Sequence, residues 1–252
     1  MNLAGLTAMV TGAGGGVGRG IAMALASEGA HVLVAARSET GQAVVDDIAA
    51  RGQHATWARC DVTDSDSVAQ AVDLAVTATG RLDAVVHNAT SSMSSQPHQL
   101  TDVDRALWTQ HSSVSLGGAH HCAVSAFPAL RKGGGTFLVM TSPAGMEGSA
   151  TLPLYATMKG ALRGFAKSLA REWAPHAITV NVVSPLAYSP AMTAAIEAEP
   201  AMEGRLARRI PLGRIGDPQR DIGAAVSFLV GPAARYVTGQ TLGVDGGHYT
   251  NL

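Results

Sequence analysis

The segment Thr11-Gly12-Ala13-Gly14-Gly15-Gly16-Val17-Gly18 follows a short run of small and β-branched residues, Thr7-Ala8-Met9-Val10, and opens a stretch of helical periodicity. A glycine loop between strand and helix lets backbone amides at the helix start approach a pyrophosphate with no Cβ in the way. Position matters more here than glycine content, because a glycine-rich turn by itself can equally serve close packing of helix on strand. In this context Gly12, Gly14, Gly16, Val17 and Gly18 read as dinucleotide-binding residues, and the chain reads as an α/β fold of the Rossmann type.

Outward from that loop, the strand signature returns at residues 31–35, 84–86, 136–140 and 178–183, with helical patterns between them. Helix starts are expected at Ser38, at Thr63, which precedes Asp66 by a capping-box interval, and at Asp217-Pro218. This alternation predicts a doubly wound parallel sheet covered by helices on both faces, since parallel neighbours need crossovers and right-handed crossovers place helices there. A chain of 252 residues, 46% hydrophobic and 15% charged, suits a single domain over residues 1–252. Residues 186–216 are irregular and follow a predicted strand, at the edge where open α/β sheets bind ligands, so they are expected to cover the substrate. Met192, Ala195, Ile196 and Met202 would supply the apolar side of that cover, with Met93, Met146 and Leu152 lining the walls from residues 90–98 and 144–152.

Eighteen basic and nineteen acidic residues leave a formal charge of −1, which argues against nucleic acid or an anionic bilayer as partner. No run of eighteen apolar residues and no targeting pattern is present, so no membrane role is expected. Cys60 and Cys122 lack Cys-x-x-Cys spacing, which speaks against a disulfide framework and a structural metal and for a cytoplasmic chain.

The second predicted strand ends in Ala35-Ala36-Arg37-Ser38, with no carboxylate to hold a ribose 2′-hydroxyl. Arg37 suits a 2′-phosphate, so NADP (as NADPH) is expected in preference to NAD, although the glycine loop carries no second basic residue. Tyr155 and Lys159 lie four residues apart in a helical pattern over residues 154–173, so their side chains leave one face. An ammonium there would favour tyrosinate and bring the tyrosine pKa down from about 10, preparing a hydroxyl to exchange a proton with an alcohol or ketone oxygen. Ser142 follows the predicted 136–140 strand and can donate to the same oxygen.

These residues together resemble the single-domain short-chain dehydrogenase/reductase family, similar to its 3-oxoacyl-thioester reductases. The resemblance runs through Thr11–Gly18, Asp61-Val62, Asn88-Ala89, Ser142, Tyr155-x-x-x-Lys159, the stretch from Ser168 into Pro185, and Thr238 to Gly247. It implies that Tyr155 is the catalytic acid/base, that Ser142 orients the substrate oxygen, and that Lys159 holds the nicotinamide ribose. It also implies that Asp61 and Val62 flank the adenine, that Asn88 and Ala89 lie beside the cofactor ribose, and that Pro185 borders the nicotinamide. The enoyl-reducing branch of the family spaces its tyrosine and lysine more widely, so the implied reaction interconverts a ketone and a secondary alcohol, with a small and mainly apolar substrate. The resemblance further implies a homotetramer packed through helices around residues 112–130 and 155–173.

Several family positions differ. Ser115 stands where the family has a helical asparagine that supports a water leading from the lysine, and is the fourth candidate catalytic residue. His87-Asn88-Ala89-Thr90 replaces Asn-Asn-Ala-Gly, and Pro185-Leu186 replaces Pro-Gly. These changes leave a second reading, a catalytically impaired dinucleotide-binding sensor or partner subunit.

Overall fold

The computed structural model describes residues 2–250. Seven strands form one parallel sheet in the order β3-β2-β1-β4-β5-β6-β7: β1 Thr7–Thr11, β2 His31–Ala36, β3 Ala55–Arg59, β4 Ala84–His87, β5 Gly135–Met140, β6 Ile178–Pro185 and β7 Thr241–Val244. Helices connect them: α1 Gly16–Ser27, α2 Thr40–Ala49, α3 Ser65–Thr79, α4 Arg105–Ser112, α5 Gly118–Leu130, the short α6 Ala144–Glu147 and the long α7 Pro153–Trp173. After β6 come α8 Pro190–Ala198, α9 Ala201–Arg209 and α10 Ala224–Val230.

Alternation along each strand builds two cores. Met9, Leu33, Val85, Phe137 and Val180 face α3, α5 and α7 on one side, while Ala8, Val10, Val34, Val86 and Leu138 pack under α1 and α10 on the other. Every residue of β1, β4 and β5 is buried, which explains why these strands read as unbroken apolar runs. The strand order reverses between β1 and β4, and the glycine loop leaves β1 at that switch point, where ligands bind in open α/β sheets.

Two helix starts differ from expectation by a residue or two. Asp64, not Thr63, caps α3 by accepting from the Asp66 amide, because the Thr63 hydroxyl donates instead to Asp61. The second helix begins at Thr40 rather than at Ser38, whose hydroxyl is engaged with Thr40 Oγ1 at 3.0 Å. Asp217 caps a π-helical turn over Pro218–Gly223 as expected, accepting from the amides of Gln219 and Arg220. Among the described residues no helix is long and apolar enough to cross a membrane.

Candidate active site

The carboxyl ends of β1, β4, β5 and β6 open on a cavity of about 750 Å³. Its floor begins with the glycine loop. Gly12 holds φ +63, and a Cβ there would stand 3.0 Å from Ala89 Cα and 3.1 Å from Asn88 Nδ2, so only glycine fits the turn. Asn88 Nδ2 donates to the carbonyls of Thr11 and Gly12, both at 3.2 Å, while Thr11 Oγ1 accepts from the amides of Asn88 at 3.1 Å and Ala89 at 3.2 Å. The end of β4 is thereby bolted to the glycine loop. Helix α1 starts on an extended Gly15 without a side-chain cap, so its first amides are left for an anion. Gly12, Gly14, Gly16 and Val17 border the cavity, whereas Gly18 lies beneath it, tight against the Gly12 carbonyl.

Arg37, Asp61, Val62, Asn88, Ala89 and Pro185 all border the same cavity. Burial pushes the Asp61 carboxyl up, but hydrogen bonds from the Thr63 amide and hydroxyl, together with the Arg37 charge, outweigh it and hold the group below the usual carboxylate range. Ser38, read in the sequence only as a helix-start marker, and Thr40, which carried no reading there, bring two hydroxyls to the wall beside Arg37. An uncapped helix start, a loop too close for side chains and a flank carrying a guanidinium and two hydroxyls form a bed whose donors suit a phosphorylated dinucleotide.

Tyr155 and Lys159 lie one turn apart near the start of α7. Lys159 is buried, 3% exposed, and Nζ donates to the Met140 carbonyl at the end of β5 at 2.8 Å. Thr141 Oγ1 returns a bond to the Lys159 carbonyl at 2.8 Å, so strand end and helix are stitched in both directions. Ser142, two residues past β5, hydrogen-bonds the Tyr155 hydroxyl, and the Lys159 ammonium lies 5.6 Å from the Tyr155 ring centroid. The three groups thus meet in one place. Their electrostatics correct one expectation. Burial raises the Tyr155 pKa, with the Ser142 hydrogen bond pulling the other way, and burial brings Lys159 down to about 8. Loss of water at the phenol thus outweighs the Ser142 hydrogen bond.

Ser115 is 2% exposed, within a π-helical turn over Ser113–Gly117, and does not border the cavity; its carbonyl accepts from His87 Nε2 at 3.0 Å. On the substrate side the wall consists of Ser91, Ser94, Ser95, Val114 and Leu152, with Met192, Ala195 and Met202 from α8 and α9 above. Met93, Met146 and Ile196, expected as lining, are not on it. His111 is buried, edge-on to His98, and also off the wall, and Arg205 is paired with Glu199 at 2.8 Å.

The chain is similar to known proteins over nearly its whole length. A family model described as enoyl-(acyl carrier protein) reductase, of the short-chain alcohol dehydrogenase type, matches residues 12–249. The 3-oxoacyl-(acyl-carrier-protein) reductase FabG of Staphylococcus aureus is 35% identical over 246 residues, covering 96% of this chain and 98% of the relative. Among solved structures, a short-chain alcohol dehydrogenase from Sinorhizobium meliloti superposes with a TM-score of 0.90 at 36% identity, covering 98% of this chain and 97% of its own. A 7α-hydroxysteroid dehydrogenase, complexed with NADH and 7-oxo glycochenodeoxycholic acid, superposes with a TM-score of 0.90 at 32% identity, over 100% of this chain and 97% of its own.

Proposed function

The chain belongs to the short-chain dehydrogenase/reductase family, acting on CH–OH and C=O groups, and from that footing we propose that it is an NADP-dependent oxidoreductase interconverting a ketone and a secondary alcohol, with Tyr155 as acid/base. One observation carries this reading: the Tyr155 hydroxyl, the Ser142 hydroxyl and the Lys159 ammonium converge beside the cavity that also holds the glycine loop. When bound, the reduced nicotinamide supplies the hydride. Gly12, Gly14, Gly16 and Val17 offer the pyrophosphate a close backbone and free amides. Arg37, with Ser38 and Thr40, receives the 2′-phosphate, Asp61 and Val62 flank the adenine, and Asn88, Ala89, Lys159 and Pro185 bed the nicotinamide half. Ser142 donates to the substrate oxygen and orients it. Tyr155, kept protonated by its raised pKa, gives that oxygen its proton, which suits the direction of reduction. Ser115 contributes through its backbone rather than its hydroxyl.

The substrate wall pairs serines with methionines and Val114, while the charged groups Arg37 and Asp61 stand at the cofactor end. We therefore assign a neutral, mainly apolar ketone, of the kind represented by the 3-oxoacyl and 7-oxo compounds for which the similar proteins are named. A cytoplasmic location accords with two free, buried cysteines. Purified protein tested with NADPH on a panel of oxoacyl and cyclic ketones should oxidise the cofactor. Tyr155→Phe should lower turnover about 10²–10⁴-fold while NADPH fluorescence titration stays unchanged, and Arg37→Ala should weaken NADPH but not NADH. Binding without turnover across the panel would favour the sensor reading, and equal NADPH and NADH affinities that survive Arg37→Ala would refute the choice of NADP.

A further inference from the structure

His87 lies at the end of β4, 1% exposed, next to Asn88 and away from the cavity wall. Its two ring nitrogens have fixed roles. A carbonyl can only accept, so the 3.0 Å contact with Ser115 O requires the proton on Nε2. Nδ1 is then a bare acceptor facing two donors, the Thr11 hydroxyl at 3.3 Å and, more weakly, the Cys122 thiol at 3.8 Å. The Thr11 donation turns the lone pairs of Thr11 Oγ1 toward the Asn88 and Ala89 amides it accepts. Gly118 makes room for the ring, since a Cβ there would stand 3.0 Å from His87 Cε1 and 2.8 Å from Val62 Cγ2.

From this geometry we infer that His87 is a positioning residue with two separable outputs: through Nδ1 it sets the Thr11 clasp on Asn88-Ala89 that beds the cofactor, and through Nε2 it anchors the π-turn carrying the Val114 wall of the substrate pocket. The inference rests on the reading of Asn88-Ala89 as part of the nicotinamide bed. The two outputs can be cut one at a time. An asparagine amide reaches about as far as Nδ1, and a glutamine amide about as far as Nε2. His87→Asn therefore keeps a partner for Thr11 and drops the Ser115 carbonyl, while His87→Gln keeps the Ser115 bond and drops the Thr11 hydroxyl.

Loss of one buried hydrogen bond corresponds to roughly a tenfold change in an equilibrium constant. His87→Gln should raise the NADPH dissociation constant roughly tenfold, read by fluorescence without turnover, with the substrate KM held within about twofold. His87→Asn should do the reverse, raising substrate KM or lowering kcat while NADPH binding holds. Variants that lose both properties in step, or neither, would overturn the proposal. Should either variant fail to fold, ¹⁵N shifts of the wild-type ring decide: a neutral Nε2–H tautomer supports the assignment, and an Nδ1–H tautomer overturns it. Wild-type protein that neither binds NADPH nor turns over a ketone would sink the cofactor reading and this inference with it, whereas an active wild type whose two variants fall together would sink this inference alone.

Discussion

A neutral imidazole locked in the interior is a liability in acid. Burial, and then the Lys159 charge, bring the His87 pKa down to about 3, against the opposing pull of the Ser115 carbonyl. Between that value and the ordinary 6.5 the unfolded chain takes up a proton that the folded protein refuses. The stability His87 contributes is therefore fully present above pH 6.5 and is lost as pH falls toward 3, at a slope of at most about 1.4 kcal/mol per pH unit. Urea midpoints measured from pH 7 down to pH 4 should fall less steeply for His87→Asn than for wild type; parallel curves would show that this ring does not titrate on unfolding. Residue types at set intervals made Ser142, Tyr155, Lys159 and Arg37 legible in the sequence. The sign of the Tyr155 shift was not, because it depends on how much water the fold removes from the phenol. His87 carried no signal beyond its departure from a family asparagine, since its partners lie 28, 35 and 76 residues away.

At the scale of elements, interiors were readable and edges were not. The buried strands β1, β2, β4, β5 and β6 appear as apolar runs in the sequence, but β3 and β7 close the two edges of the sheet with partly exposed residues and gave no such run. The π-turns at Ser113–Gly117 and Pro218–Gly223 were equally silent, because a one-residue bulge leaves the helical pattern on either side intact. The second of these turns packs directly on α1 through Gly20, where a Cβ would come within 2.4 Å of the Pro218 carbonyl carbon. Gly20→Ala should accordingly cost about 1–3 kcal/mol in denaturant unfolding, since backbone and not a flexible side chain must yield. Gly204→Ala in α9 should act in the opposite sense. Its Cβ would meet only the end of Arg208 at 3.5 Å, so the gain in helix propensity, about 0.5–1 kcal/mol for that helix, goes unopposed. Hydrogen exchange across residues 201–209 would register that gain, and unchanged exchange would count against it.

At the scale of the whole molecule, Val124 stands 59% exposed on α5, one of the helices the family resemblance assigns to subunit packing, while Trp108 on α4 at 45% and Leu242 on the edge strand β7 at 37% are exposed elsewhere. The homotetramer implied by the family resemblance would cover such side chains at its contacts. Sedimentation equilibrium should therefore return about four times the 25.7 kDa chain mass, and a single-chain mass would exclude that assembly. Local pattern alone determined the alternation of strand and helix, the glycine loop Thr11–Gly18 between strand and helix, and the placing of Tyr155 and Lys159 one helical turn apart, because each depends on neighbours within a few residues. Strand order, the meeting of Ser142 with Tyr155, the bolt between Thr11 and Asn88-Ala89 and the burial that sets each proton affinity were decided only by the tertiary structure. Those features join residues remote in the chain, and only the folded sheet fixes their separation and removes the water between them.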